Sequence, residues 1–528
     1  MSNSQLPERP DVEQLKRQAK DLLHSARAKD PSALARFRTL PSFARYTDDE
    51  MARAPLALHD SQSVIAREHG FASWKALRER VEELTLEFDA AVVQFIEAAT
   101  DGRRDRAERL LALHARIASA NFHTALLVAD AEAVESWLAE EPSLVQRPGG
   151  PRGWEPLLYI CHTSLHQGFA SRADGLVAIA RSLLAHGADP NVRFPWLHHG
   201  VRRAALWGAT FVTQQMPLVE LLLEAGADPD DGVTLPIAAS AGNLAVLELL
   251  HAHGADVNQA WATDGSAALY AILHWTETPV GVHWLLEHGA DPDPVFASNG
   301  ETPLHVVARR GDAALAASLV ARGADVTRPR ADGRTPYAVA ALNGNREVAE
   351  WLLLHGASAE LSAVDRLVAA CSQGDRATVD AMLATRPALR DAIRDEHYIA
   401  LYQAAERGDT DALEALLACG FDPNRGDTEI GKTALHSAAH GGRPDAVRIL
   451  LEHGASVTVR DREFHAQALV WAAESSRGRR EDGRDYVAVG QLLLDAGSPV
   501  DWEVGDEPAE GILEVMAEWR RLHSERRG

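Results

Sequence analysis

The chain has 528 residues, with 53 basic against 76 acidic side chains and a formal net charge of −23. No stretch approaches the ~18 consecutive apolar residues of a membrane span, so no membrane role is expected. Cys161, Cys371 and Cys419 lie too far apart for a disulfide framework or a metal knuckle, which favours a reducing, cytoplasmic setting and assigns no metal or cofactor.

Charge is spread unevenly. Residues 1–84 hold 14 basic and 13 acidic groups, and the remainder holds 39 and 63. The long acidic part repels nucleic-acid phosphates, so any nucleic-acid role would sit in the neutral head. Arginine is much commoner than lysine and alanine is abundant, the composition of a high-GC bacterial genome.

The chain opens on MSNSQLPERPDVEQ, which is polar and lacks the apolar core of a signal peptide. Residues 11–40 read as amphipathic helix, with Leu15, Ala19, Leu22, Leu23 and Ala26 at helical spacing and Pro31 and Pro41 as punctuation. Ser61–Gly70 reads as a second helix. Ser73 caps a third, with Ala76 where a capping box would have Glu. Helix, turn, helix superficially fits a DNA-binding motif. Arg67, Lys75, Arg78 and Arg80 are nearly cancelled by Glu68, Glu79, Glu82 and Glu83, so a solvated helical head over residues 1–84 is the better reading.

From about residue 86 a pattern recurs, clearest in LLEHGADPDPVFASNGETPLHVVARRGD, Leu285–Asp312. An apolar run ends in Gly289, a bridge with Asp291, Pro292, Asn299 and Gly300 follows, and Thr302-Pro303 opens a helix of small residues. The closing glycines are 187, 226, 254, 289, 323, 356, 420, 454 and 497, spaced 39, 28, 35, 34, 33, 64, 34 and 43. The 64 is two repeats, because Leu361–Ile393 reads as a degenerate unit with Arg386-Pro387 in place of the glycine turn. Two more degenerate units, about 88–118 and 120–147, precede Gly187.

This pattern resembles the ankyrin repeat. The resemblance implies an all-α solenoid of about twelve helix-turn-helix units joined by β-turn bridges, filling residues 86–506, with a C-terminal capping helix over 507–528. It also implies protein binding through a concave face rather than catalysis. One helix pair cannot bury its apolar face alone, so neighbours supply the core. Alanine pairs such as Ala238-Ala239 keep inner helices thin, and leucine pairs such as Leu249-Leu250 fill the space between layers.

Function is sought where the pattern breaks. In the third unit about eleven residues, Leu165–Gly175, are inserted between the two helices. The next bridge, Arg193–Arg203, carries about six extra residues, and Asp228–Val233 is about five short. Ser476–Asp485 is a second inter-helix insertion, charged and without aromatics, and reads as a surface loop. Residues 150–290 also gather Trp154, Trp196, Trp207, Trp261, Trp275 and Trp284, half of the twelve tryptophans, together with His162, His166, His198, His199, His274 and His283. Units over about 290–460 run close to pattern.

Alignment places His162, His274 and Arg309 at equivalent ends of inner helices, with Trp275 and Arg310 one residue on and Tyr270 and His305 a turn earlier, facing the groove. The expected partner-binding residues are therefore Trp196, His198, His199, Trp207, Tyr270, His274, Trp275, Arg309 and Arg310, types that dominate interface energetics. Histidines before closing glycines (186, 253, 288, 355, 453), His305 and His436 read as structural, and Trp284 and Trp351 as core. Cys161, His162, His166, His198 and His199 do not form a metal motif. No phosphate loop, nucleophile elbow or dinucleotide fingerprint appears. The alternative function is a small-molecule binder or enzyme using a pocket in units 150–290, with His162 and His274 as acid/base groups; this needs an enclosed pocket of ~300 Å³ or more.

Overall fold

Helix Val280–Glu287 stops at His288, where Gly289 turns the backbone left-handed at φ 90°. The Gly289 N–H then reaches the Leu286 carbonyl and the Ala290 N–H reaches that of Leu285 at 2.9 Å, a paired return that satisfies the last carbonyls of the helix. Only glycine takes that φ cheaply. The same return to a leucine carbonyl recurs at Ala188, Ala227, Ala255, Ala324, Ala357, Phe421, Ala455 and Ser498, which is the sequence period made physical. Helix starts are equally regular: the side chains of Asp312, Thr335, Asp375, Asp409 and Asp485 each accept the N–H three residues on.

The computed structural model describes residues 6–7, 10–40, 43–44, 46–54, 56–195, 202–274, 278–476 and 484–499. Among them, twelve helix pairs run from Phe88–Thr100 with Arg104–Leu113 to Ala468–Ser475 with Tyr486–Asp495. They form an all-α repeat solenoid whose one two-stranded sheet among the described residues pairs Arg193–Pro195 with Arg202–Ala204.

The chain divides into two compact bodies. One comprises Glu83–Val307 and Asp312–Gly333, the other Met1–Glu82, Ala308–Gly311 and Arg334–Gly528. In the second body, residues 11–81 have a core of their own built on Leu15, Leu22, Phe37, Met51, Ile65 and Leu77. The stretch 11–40 is two helices rather than one. Val12–Arg27 ends at a left-handed Lys29 (φ 63°), and Asp30 caps Pro31–Phe37 by accepting from Ser32 and Ala33. Proline at the first helical position starts a helix well and continues one badly. Ser73 Oγ accepts from Ala76 N at 3.1 Å, as its cap position requires.

Three repeats lack the closing glycine, and all three close alike. The outer helices Arg104–Leu113, Ala131–Glu140 and Arg376–Thr385 end in an extended residue, His114, Glu141 or Arg386. A short 3₁₀ turn follows each: Ala115–Ser119, Pro142–Gln146 and Pro387–Ala392. Proline after the stop enforces it in the last two.

Candidate partner-binding site

The departures from pattern cluster in repeats three to six, all within the first body. The eleven-residue insertion of repeat three is absorbed in two ways. Its outer helix, Ala170–Ala185, grows to 16 residues, and Leu165 and His166 fold inward behind helix Pro156–Cys161. His166 Nε2 donates to the Thr213 carbonyl at 2.8 Å, fastening the tucked turn to repeat four. The described ends of the long bridge, Arg193–Pro195 and Arg202–Ala204, pair as an antiparallel hairpin. The short bridge is held by Asp231, whose carboxylate accepts from Val233 N, Thr234 N and Thr234 Oγ1.

The hairpin closes over an aromatic nest. Trp154 packs on Phe194 at 4.4 Å, His162 stands edge-on to Phe194 at 4.9 Å and stacks on Trp207 at 6.0 Å, and the Arg203 guanidinium lies 3.7 Å over the Trp207 ring. Gly208 makes the nest possible, since a Cβ there would fall 2.3 Å from His162 Cε1. The inner helix of repeat four then widens into a π-helical turn, Ala209–Thr213, and leaves it through a left-handed Gln214.

His162 is 3% exposed. Its Nδ1 donates to the Leu158 carbonyl at 3.1 Å, while Nε2 and the Trp207 Nε1 are buried without a hydrogen-bond partner among the described residues. Burial pushes the imidazole down to about 4, with the nearby Arg203 charge adding to the effect and the Leu158 bond opposing it. His162 is therefore a neutral, enclosed ring instead of an acid/base group at a groove.

Tyr270 also differs from its expected place at the groove. It is buried under the next bridge, stacked on Phe296 at 5.0 Å, with its hydroxyl donating to Glu301 Oε2 at 2.9 Å. His305 is fully buried, its Nδ1 accepting from Thr302 N. The following bridge covers this turn of the inner helix at Tyr270, and at His436 through the Ala466 carbonyl, a long-range fact that spacing cannot display. Trp207 is likewise buried. His274 is exposed, edge-on to Tyr270 at 5.0 Å. Arg309 and Arg310, half-buried and exposed, end helix Pro303–Arg310 and belong to the second body, where Asn345 Nδ2 donates to the Arg309 carbonyl at 2.8 Å. Trp196, His198, His199 and Trp275 lie outside the described residues.

The structural histidines are seated as expected. The Nδ1 atoms of His186, His288 and His355 donate to carbonyls four residues back, and Trp284 and Trp351 stack on His288 and His355 at 4.0 and 3.7 Å.

What remains open along this body is an apolar ladder. Phe169, Met216, Leu244 and Val280 are 44%, 37%, 44% and 40% exposed, one in each of repeats three to six. Each stands where the inner-helix turn hands over to the outer helix: Phe169 is an N-cap, and the others are first residues of Met216–Glu224, Leu244–Ala252 and Val280–Glu287. The turns of repeats five and six touch here. A Cβ on Gly242 of repeat five would touch Val280 Cβ at 3.5 Å, and Gly281 lets the sixth outer helix reach the Ala239 carbonyl. Phe169 is flanked by the guanidinium of Arg172 at 4.6 Å. The equivalent positions in repeats seven to eleven are Ala313, Arg346, Arg376, Thr410 and Pro444, so the apolar run belongs to the irregular repeats. Sequence reasoning passed over these four residues; the signal was an apolar residue directly after the turn in four consecutive units.

Among the described residues no helix is long and apolar enough to cross a membrane, and no group of three or more His, Cys, Asp or Glu could hold a metal ion. The family model "Ankyrin repeats (3 copies)" matches residues 270–363 and 367–461. The chain is 40% identical over 89 residues to the nuclear factor NF-kappa-B p105 subunit of Gallus gallus, covering 17% of this chain and 9% of that protein. It is 33% identical over 121 residues to neurogenic locus notch homolog protein 4 of Homo sapiens, covering 23% and 6%. A transient receptor potential cation channel subfamily A member 1 homolog of Caenorhabditis elegans matches at 31% over 141 residues, covering 27% and 12%. The matched stretches are thus about a tenth of those relatives' lengths, and they show that this chain carries ankyrin repeats.

Proposed function

We propose that these ankyrin repeats form a protein-recognition module whose contact edge is the ladder Phe169, Met216, Leu244 and Val280, with His274 beside it. The observation that carries this is four large apolar side chains, each more than a third exposed, at the start of the outer helix in four successive repeats, Phe169 at the N-cap and the other three one position further on. A soluble chain gains nothing from such a row unless something covers it. Helices pack ~8–10 Å apart, close to the ~10.5 Å that seven residues rise along an α-helix. The fitting partner is an amphipathic helix with an apolar side chain at every seventh position. Residues after 84 hold 63 acidic against 39 basic groups, so the partner's polar face should be basic.

The partner-binding residues expected from sequence, from Trp196 to Arg310, divide under this reading. Trp207 and Tyr270 shape the repeats that present the ladder, and His274 touches the partner. We also take residues 1–84 as a helical head, 86–506 as the array and 507–528 as a capping helix, of which the last lies outside the described residues. Free thiols and the arginine-rich composition favour a bacterial cytoplasm.

The test uses the full chain and a fluorescent helical peptide with leucine at every seventh position and lysine on its polar face. Replacing Met216, Leu244 and Val280 together with serine should weaken binding at least tenfold. Serine at Leu354, 84% exposed on the outer helix Arg346–Leu354, should leave it unchanged. Equal affinity for all three proteins would overturn the assignment.

A further inference from the structure

The last two repeats form an open pocket of about 640 Å³ lined by His440, Phe464, Ala466, Val470, Trp471, Glu474 and Ser475. We propose that it binds an organic cation, an alkylammonium or guanidinium group.

Its origin lies in two exchanges between neighbouring inner helices, Ala434–His440 and Ala468–Ser475. Val470 stands where the preceding helix has His436, and the missing ring leaves space; Trp471 stands where it has Ser437, and the indole walls that space. Trp471 is fixed by its Nε1, which donates to Asp461 Oδ2 at 2.9 Å. The same carboxylate accepts from the backbone N–H of Glu463, Phe464 and Ala466, so the bridge is moulded around it and Phe464 is held out, 64% exposed. Phe464 and His440 stand edge-on to the indole at 6.3 and 5.7 Å, with interplanar angles of 70° and 76°. The result is a corner of aromatic rings around an apolar floor.

Charge gives the corner its preference. Glu406, His440 and Glu474 occupy the same inner-helix position in three consecutive repeats, so two carboxylates flank the imidazole. Glu406 Oε1 lies 4.0 Å from His440 Nε2, and His440 Nδ1 is engaged with Ser475 Oγ at 2.7 Å. No lysine or arginine lines the cavity among the described residues. Aromatic faces with nearby carboxylates attract cations and repel anions, while the volume suits a small organic body.

The experiment titrates the full chain with choline and with its neutral isostere 3,3-dimethylbutanol, following Trp471 by fluorescence and the heat of binding. Choline should saturate a single site at least tenfold more tightly than the alcohol. Trp471→Leu should weaken choline at least tenfold and Glu474→Gln several-fold. Should Trp471→Leu fail to fold, Phe464→Ala removes a ring that is mostly in solvent and should weaken choline several-fold. Equal binding of the isostere, undiminished binding by the variants, or absence of saturable binding would each overturn the proposal. Acetyl-lysine amide and acetyl-arginine amide form a second arm: tighter binding than choline assigns the cation to a partner's side chain, weaker binding to a free amine.

Discussion

Arg334 and Asp365, on neighbouring repeats of the second body, are joined by two hydrogen bonds to one oxygen: Nη2 at 2.8 Å and Nε at 3.2 Å from Asp365 Oδ1. Their side chains are 10% and 12% exposed, and His397 of the following repeat brings its Nε2 to 3.3 Å. Burial works to raise the Asp365 carboxyl, but the hydrogen bonds from His397, Ser362 and Arg334 and the Arg334 charge outweigh it and hold the group well below the usual carboxylate range. The stability it contributes is complete above its ordinary value of 3.8 and fades as pH falls toward the lower value of the folded state. Asp365→Ala should cost about 3 kcal/mol, since it strands a buried guanidinium. The apolar pair Arg334→Met with Asp365→Leu should cost much less. Urea unfolding at neutral pH distinguishes them, and a single mutant within 0.5 kcal/mol (about a third of a tenfold change) of the parent would contradict this account.

His162 gives a second pH test, in a base. Its folded value is lowered to about 4 from 6.5, so in that window the unfolded chain binds the extra proton. Repeats three and four should lose stability as pH drops from 6.5 to 4, by at most about 3 kcal/mol. Hydrogen exchange of the amides in 156–213 measures it. In His162→Phe the dependence should flatten; an unchanged pH profile there would place its source in another group.

Gly281→Ala tests the stacking that builds the ladder. The added Cβ would sit 1.8 Å from the Ala239 carbonyl oxygen, so the sixth outer helix must move away. A loss of about 3 kcal/mol and a weakened ladder are expected, the upper range for overpacking. At Gly254 nothing lies within 4 Å, and alanine should cost only about 1 kcal/mol for its left-handed φ.

The three cysteines are fully buried free thiols, and Cys371 donates to Cys419 with the sulfurs 3.2 Å apart. Burial also pushes the Cys161 thiol up. An aromatic disulfide reagent should therefore find no fast-reacting thiol in the native chain and three in urea. Cys371 and Cys419, in one contact, should become reactive together; stepwise exposure would show that their repeats open separately.

Much of the fold could be read from the sequence because it is local. The glycine that follows a leucine-rich helix and the aspartate that starts the next act within a few residues, and their spacing marked the repeats before any contact was known. The residues of the proposed contact edge were not legible in the sequence. Repeats three to six were marked by insertions and ring residues, yet His162, Trp207 and Tyr270 proved to be inside, covered by a hairpin or by the next bridge. Several of those covers come from residues far along the chain, such as Phe194 for His162 and Phe296 and Glu301 for Tyr270. The ladder was hidden for the converse reason: Leu244 and Val280 look like core letters, and only the stacking of turns shows that nothing within their body covers them fully. The pocket at Trp471 is not legible in the sequence because it is made by contacts between repeats and along the folded bridge, His440 against Trp471 and Asp461 holding its indole.

The repeat that closes on Arg386-Pro387 has the thinnest seam in its body. Its outer helix, Arg376–Thr385, buries only Val379, and the 3₁₀ turn behind it buries nothing, whereas the next outer helix buries Leu413, Leu416 and Leu417. Its hold on the neighbouring repeats comes instead from the half-buried Met382, Leu383, Leu389 and Ile393, and in a chain where each repeat leans on its neighbours its amides should be the first of that body to exchange.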